Sequence, residues 1–112
     1  MRLKLSTVLP LALAILFVAN PAIAQLDRWN DLTQRATQLV AQGRIADALP
    51  VSEEALSVAE NTFGRKHVNY GMSQNGLGYV LMLMGKLDDA ETQLLAAKQT
   101  IESAVGPENV NM

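Results

Sequence analysis

The sequence predicts an all-α protein, built as an α-α superhelix of two antiparallel helical hairpins. Three observations support this fold class. Apolar residues recur at helical spacing along most of the chain, glycines separate the periodic runs, and a shift of 42 residues aligns the chain with itself. The 112 residues contain no cysteine, so a disulfide framework, a thiolate metal site and a lipid-acceptor cysteine are all excluded.

Residues 1–24 have the composition of a signal peptide. Arg2 and Lys4 precede an apolar run from Val8 to Ala19, and Ala22-Ile23-Ala24 has the small-x-small pattern that signal peptidase cuts behind. A retained membrane anchor would begin in the same way, but the run is 12 residues long and a membrane span takes about 20. Pro21 is also expected to break the helix before the cut. We therefore predict cleavage after Ala24, no stable membrane anchor, and a periplasmic or secreted protein.

The remaining chain, residues 25–112, is moderately acidic. It holds 112 − 24 = 88 residues with 7 Lys and Arg against 11 Asp and Glu, so its net charge is −4. A nucleic-acid-binding protein would need a basic stripe, and an anionic membrane surface would attract a polybasic segment. Neither kind of partner is therefore expected.

The 42-residue shift divides this domain into repeat 1, about 30–71, and repeat 2, about 72–112. It produces nine identities among 41 aligned pairs. Four of the nine matches are glycines at predicted turns or alanines where helices would cross. The identical pairs are Leu39/Leu81, Gly43/Gly85, Asp47/Asp89, Ala48/Ala90, Ala55/Ala97, Glu60/Glu102, Gly64/Gly106, Val68/Val110 and Asn69/Asn111.

The first hairpin is predicted from two amphipathic segments. The first helix runs from about Leu26 to Gln42, and Gly43 ends it because glycine readily takes the positive φ of a helix C-terminal turn. The second helix runs from about Ile45 to Phe63, with Pro50 tolerated in its first turn. It has two apolar rows, and therefore contacts neighbours on both sides. The inward residues are Trp29, Leu32, Ala36, Leu39 and Val40 on the first helix, and Ala48, Val51, Ala55, Ala59, Leu49, Leu56 and Phe63 on the second.

Gly64 is predicted to end the second helix, and the second hairpin follows a link from Arg65 to Asn69. The third helix is predicted over Val68 to Met84, and its eight uncharged residues from Leu77 to Met84 indicate contacts on several sides. Gly85 ends it. The fourth helix is expected to begin at Asp88, whose carboxylate would cap the first amides, and to run to about Val105 before Gly106-Pro107. Its inward residues are Ala90, Leu94, Ala97 and Ile101.

These residues resemble the tetratricopeptide repeat family, in the longer 42-residue type found in kinesin light chains and many bacterial proteins. The second repeat matches the family pattern at Leu77, Gly78, Leu81, Gly85, Ala90, Leu94 and Ala97. The first matches at Ala36, Leu39, Gly43, Ala48 and Ala55, but has Arg35 in place of the leucine and Ser52 in place of a larger apolar residue. The link from Gly64 to His67 also matches, whereas the link after Gly106 has no histidine.

The resemblance implies a concave groove that takes a peptide or a partner helix, lined by the first helix of each repeat. Tyr79 is the expected principal contact because its side chain is large and amphipathic. The family's groove asparagine falls at Gly76, so an asparagine-based clamp is not expected. The alternative for Met82, Leu83 and Met84 is that they fill the core. The implied lining residues are Asn30, Thr33, Thr37, Val40 and Ala41 from the first repeat, and Met72, Asn75, Tyr79, Met82 and Leu83 from the second.

No residue pattern indicates catalysis, a cofactor or a metal site. His67 is the only histidine and matches a structural link position. The pairs Glu53/Glu54 and Asp88/Asp89 are sequence neighbours, which point about 100° apart on a helix and do not form an acid/base pair. No G-x-S-x-G elbow or phosphate-binding glycine loop is present.

We therefore predict an exported, non-enzymatic module that binds a protein or peptide. The open side of the fourth helix, with Leu87, Leu95 and Val105, makes a homodimer a second expected association. An alternative is that the chain is the N-terminal part of a larger exported protein whose catalytic or effector domain lies beyond Met112, because solenoids usually have three or more repeats. A free-standing four-helix bundle is the third interpretation.

Overall fold

The computed structural model describes residues 20–106, and within this range the chain forms four α-helices and no strand. The helices are α1 (Pro21–Ala41), α2 (Ile45–Phe63), α3 (Val68–Leu83) and α4 (Leu87–Val105). α1 packs on α2 and α3 on α4, while α2 also packs on α3, so two helical hairpins are stacked. The predicted all-α helical-repeat fold is confirmed. The apolar run from Val8 to Ala19 and the expected stop at Pro107 lie outside the described residues.

Helix α1 begins at Pro21, earlier than the predicted start at Leu26. The expected break in the helix concerns the apolar run, which lies outside the described residues, but the chain expected to be extended before the cut is helical from Pro21, because this proline occupies the first turn. An amide there has no intrahelical acceptor, and the fixed φ of proline already suits the helix. All residues from 20 to 28 are exposed, and Trp29 is the first buried side chain. The part of α1 before the predicted start at Leu26 therefore extends beyond the packed part of the helix.

Gly43 and Gly85 close the two hairpins with the same turn. The Gly43 amide donates to the Val40 carbonyl at 3.0 Å, and the Arg44 amide donates to the Leu39 carbonyl at 2.8 Å. These are the two bonds of a Schellman motif, which requires a positive φ at its central residue. Gly43 has a φ of 76° and Gly85 one of 78°. Since the bonding pattern recurs 42 residues later, the repeat exists in the backbone as well as in the sequence.

The link between the hairpins is organised by His67. Its Nδ1 accepts a hydrogen bond from the Asn69 amide at 3.0 Å and so caps the start of α3. Its ring stacks on Phe63, with 4.9 Å between the ring centroids. Nearby, Arg65 donates to Glu60 at 2.8 Å, and this hydrogen bond and the Glu60 charge raise the pKa of the guanidinium. His67 thus holds the end of α2 against the start of α3.

Helix α4 begins without the predicted side-chain cap. Lys86 is the N-cap residue and makes no side-chain capping bond, while Asp88 and Asp89 lie in the first turn. The expectation that Asp88 caps the helix is wrong because the helix starts at Leu87, before Asp88. The two carboxylates still lie near the positive end of the helix dipole, where negative charge is favourable.

The core consists of two clusters that share helix α2. Small residues occupy the helix crossings, and Ala48, Ala55, Ala90 and Ala97 are all buried. Such residues let helix backbones approach closely. The first cluster contains Trp29, Leu32, Val51, Ala55, Val58 and Ala59, with Ala36, Leu39, Phe63 and Tyr70 around it. The second contains Leu77, Leu81 and Ala90, and Leu49 and Leu56 of α2 pack against it.

Candidate functional site

A cavity of about 300 Å³ lies between α1 and α3, and α2 contributes to its floor. This size is at the lower end of the range for ligand pockets. The lining side chains come from the first helix of each hairpin and the middle of α2. They are Trp29, Thr33, Ala36, Thr37, Val40, Ser52, Ala55, Met72, Ser73, Gly76, Leu77, Tyr79 and Val80.

Small side chains create the cavity. Ala36, Ser52, Ala55, Ser73 and Gly76 contribute at most two heavy atoms each beyond Cα, and they come from three different helices. At Gly76, an added Cβ would meet nothing within 4 Å. The three helices therefore cross without filling the space between them.

Trp29 forms the floor of the cavity and joins the two hairpins. Its side chain is 6% exposed, and its indole Nε1 donates to Ser73 Oγ at 2.8 Å. Its ring meets Phe63 edge to face, with 5.4 Å between the ring centroids. The buried indole nitrogen thus has a hydrogen-bond partner, and this bond fixes α1 relative to α3.

The walls of the cavity present few free polar groups. None of the lining side chains is charged. Thr33 Oγ1 donates to the Trp29 carbonyl at 2.8 Å, and Thr37 Oγ1 donates to the Thr33 carbonyl at 2.9 Å. Because these hydroxyl protons and the indole N–H are used within the protein, the surface offered to a ligand is predominantly apolar.

The rim on α3 is formed by Met72 and Tyr79, which are 51% and 46% exposed. They are seven residues apart, so they lie on the same side of the helix, separated by about 10 Å along its axis. Large exposed side chains beside an apolar cavity can close over an inserted group. The Tyr79 hydroxyl adds a hydrogen-bonding group that can act as donor or acceptor.

The structure brings together half of the predicted lining residues. Thr33, Thr37, Val40, Met72 and Tyr79 all line the cavity. The other five predicted groove residues are not among those that line this cavity. Asn30, Ala41, Asn75 and Leu83 are exposed outside it, and Met82 lines a separate depression beside α4.

The alternative was that Met82, Leu83 and Met84 fill the core. Met82 and Leu83 do not, since both are exposed, whereas Met84 is half-buried. Ser52, which departs from the family pattern, is buried in the cavity floor. Trp29 and Ala55 belong to the buried core as predicted, and their additional place in the cavity lining was not predicted. The signal that could have indicated a cavity was the presence of small residues on three helices that pack together.

The titratable groups considered as catalytic lie outside this cavity. His67 is in the link, and Glu53, Glu54, Asp88 and Asp89 are exposed on α2 and α4. Glu54 forms an ion pair with Arg28. Over residues 20–106, no three His, Asp or Glu side chains are grouped in a way that could hold a metal ion. In the same range, every helix is too short or too polar to cross a membrane.

Comparison with known proteins gives one match. A family model described as tetratricopeptide repeat matches residues 30–103. This range contains 74 of the 112 residues and includes nearly all of both hairpins. No curated protein and no solved structure matches the chain.

Proposed function

The chain belongs to the tetratricopeptide repeat family, and we propose that it binds a peptide or a partner helix in the groove between α1 and α3. Tetratricopeptide repeats generally mediate protein–protein interaction. The observation that supports this groove as the binding site is its uncharged cavity, which has Trp29 as its floor and Met72 and Tyr79 at its rim. Contact with these side chains requires no catalytic group, cofactor or metal.

The chemistry of the groove favours an uncharged ligand segment. No Lys, Arg or His lines the cavity, and the indole and threonine donors are already used. A carboxylate inserted here would lose its hydration without gaining a counter-charge, which costs several kcal/mol. We therefore propose that the bound segment inserts apolar side chains. An amphipathic helix with anchors spaced by three, four or seven residues would present them at the spacing of Met72 and Tyr79.

We further propose that the protein is exported and that its signal peptide is removed after Ala24. Cleavage there would shorten α1 by its first four residues, Pro21 to Ala24, all of which are exposed. Because Trp29 is the first buried residue, the shortened helix retains its packed part. The first turn of a helix frays readily, which would let a peptidase reach an extended segment.

Replacing Tyr79 by alanine is expected to weaken ligand binding at least ten-fold, because large central aromatic residues often dominate such interfaces. Peptides selected from a random library on the parent protein would serve as ligands, and their dissociation constants would be measured by calorimetry. The selected peptides should be rich in uncharged apolar residues and should bind equally well with an amidated C-terminus.

Leu83→Ala is the matched control, since Leu83 is exposed to a similar degree on the same helix but lies outside the cavity. It should leave affinity unchanged. Tyr79→Phe would separate the contribution of the hydroxyl from that of the ring. Selected peptides dominated by acidic C-termini, or equal affinity for the parent and Tyr79→Ala, would contradict the proposed groove.

The export proposal predicts that the mature protein begins at Gln25. Mass spectrometry of protein purified from the producing cell, after fractionation, would identify both its N-terminal residue and its compartment. An Ala24→Arg variant should accumulate with residues 1–24 attached, because the peptidase requires a small residue at that position. Full-length parent protein that stays with washed membranes would argue against cleavage.

A further inference from the structure

The rim of the groove contains a side chain that an oxidant can modify. Among the methionines of residues 20–106, Met72 alone is both exposed, at 51%, and part of the cavity lining. Met82 is exposed to a similar degree, 42%, but lines the depression beside α4 instead. Met84 is half-buried and lies outside the cavity lining. Because an oxidant must reach the sulfur atom, Met72 and Met82 are the expected targets in this range.

We propose that Met72 is a site of reversible oxidation by peroxide, and that its sulfoxide weakens ligand binding in the groove. The effect on binding rests on the proposed peptide groove. With hydrogen peroxide, a lone pair of the thioether sulfur attacks one oxygen, an S–O bond forms and the O–O bond breaks. The departing hydroxide takes the proton of the transferred oxygen and leaves as water. Sulfur thus loses two electrons, and the peroxide is reduced.

Oxidation places a polar group where the groove has few partners for it. A sulfoxide is polar, and its oxygen needs a hydrogen-bond donor when a ligand covers it. No Lys, Arg or His lines the cavity. The indole N–H of Trp29 donates to Ser73, and the hydroxyl of Thr33 donates to the Trp29 carbonyl. An apolar segment that covers an oxidised Met72 would therefore remove the sulfoxide from water without replacing its hydrogen bonds.

The exposure of Met72 separates this modification from general oxidative damage. In the free protein about half of the side chain is in contact with water, so the sulfoxide can stay hydrated without disturbing the fold. The core residues of the same helix, Leu77 and Leu81, lie in a different cluster that packs against α2. Oxidation of Met72 should therefore change the affinity for a ligand much more than the stability of the chain.

The test measures ligand affinity before and after treatment with hydrogen peroxide, with the protein in the form that the producing cell leaves it. The ligands are the peptides selected on the untreated parent, and calorimetry gives their dissociation constants. Oxidation should raise the dissociation constant of the parent on the order of ten-fold, because a polar group is then buried without a partner. Methionine sulfoxide reductases, one for each sulfoxide epimer, should restore the original affinity.

Met72→Leu and Met82→Leu form a matched pair, because each removes one exposed methionine from α3 and only the first lies in the cavity lining. The affinity of Met72→Leu, whatever its starting value, should be the same before and after peroxide. Met82→Leu should lose affinity on oxidation as the parent does. Fragment mass spectrometry should show that a bound peptide protects Met72 from oxidation and leaves Met82 unprotected. Circular dichroism should show that the oxidised proteins keep their helix content.

Three results would overturn the oxidation proposal: a Met72 that stays unoxidised while Met82 is oxidised, an oxidised parent that binds as tightly as before, or an equal loss of affinity in Met72→Leu. Comparison with Tyr79→Ala separates this failure from failure of the groove. Peptide affinity that does not depend on Tyr79 would exclude the groove and the oxidation effect together. Affinity that depends on Tyr79 but survives oxidation of Met72 would contradict the oxidation effect alone.

Discussion

Replacing Trp29 by alanine is expected to lower the free energy of unfolding by about 3 to 5 kcal/mol, the usual cost of deleting a buried tryptophan. The side chain is 6% exposed and lies in the first core cluster with Leu32, Val51 and Ala55. Small single domains are stable by only about 5 to 15 kcal/mol in total. The substitution should therefore remove a large part of the stability of the chain.

The effect should extend beyond the first hairpin, because Trp29 is part of a chain of contacts that crosses the stack. Its indole donates to Ser73 on α3, and its ring contacts Phe63 at the end of α2. Phe63 in turn stacks on His67, which caps α3. Removing the indole thus weakens the joint between the hairpins as well as the core. Hydrogen exchange should show faster opening of the start of α3 in the variant.

Trp29→Phe separates the two contributions of this residue. It keeps an aromatic ring in the core but removes the Nε1 donor, so the Ser73 hydroxyl loses its partner. The expected cost is about 1 to 3 kcal/mol, and it should be smaller than that of Trp29→Ala. Denaturant unfolding followed by circular dichroism would measure both values. A Trp29→Ala variant within 1 kcal/mol of the parent would show that the indole does not join the hairpins.

The helices of this chain could be predicted because their signals are local. Gly43 and Gly85 mark turns through their own need for positive φ, and the ends of α2 follow from apolar periodicity between two glycines. The start of α1 could not be placed in this way. Proline can begin a helix or lie inside one: Pro21 begins α1, whereas Pro50 lies inside α2, beyond the first turn in which it was expected. Asp88 was likewise a plausible cap whose position depended on a boundary one residue away.

The site was less predictable because a cavity depends on three helices together. Tyr79 and Met72 were named because the resemblance to tetratricopeptide repeats implies a groove lined by the first helix of each repeat. The space beside them is bordered by the small residues Ala36, Ser52 and Gly76, which come from three helices. Their sequence separations are irregular, and no periodic pattern connects them. The hydrogen bond from Trp29 across the stack is equally invisible in the sequence, since its partner lies 44 residues away.

The same substitution at two glycines of α3 is expected to have opposite effects. Gly76→Ala should raise the free energy of unfolding by up to about 1 kcal/mol, because alanine favours the helix and its Cβ meets nothing within 4 Å. Gly78→Ala gains the same helical preference. Its Cβ, however, would lie 2.8 Å from Cγ and Cδ2 of Leu94 and 3.3 Å from the Ala90 carbonyl oxygen.

The Gly78 contact is too close to be relieved by a small movement. Leu94 Cγ is next to the backbone of α4 rather than at the far end of a flexible chain, and the Ala90 oxygen is backbone. Overpacking of this kind costs about 1 to 3 kcal/mol. Because the gain in helical preference is common to both variants, the difference between their unfolding free energies reports the packing cost alone.

Urea unfolding of both variants would measure this difference, provided that the denaturant slope is unchanged. A Leu94→Ala background supplies the decisive control. Removing the leucine side chain should reduce the penalty of Gly78→Ala and leave the effect of Gly76→Ala unaltered, since only the first pair of residues is in contact. If both glycine variants stabilised the protein equally, close approach between α3 and α4 would not be the reason for a glycine at position 78, and the packing of the second hairpin described above would be wrong.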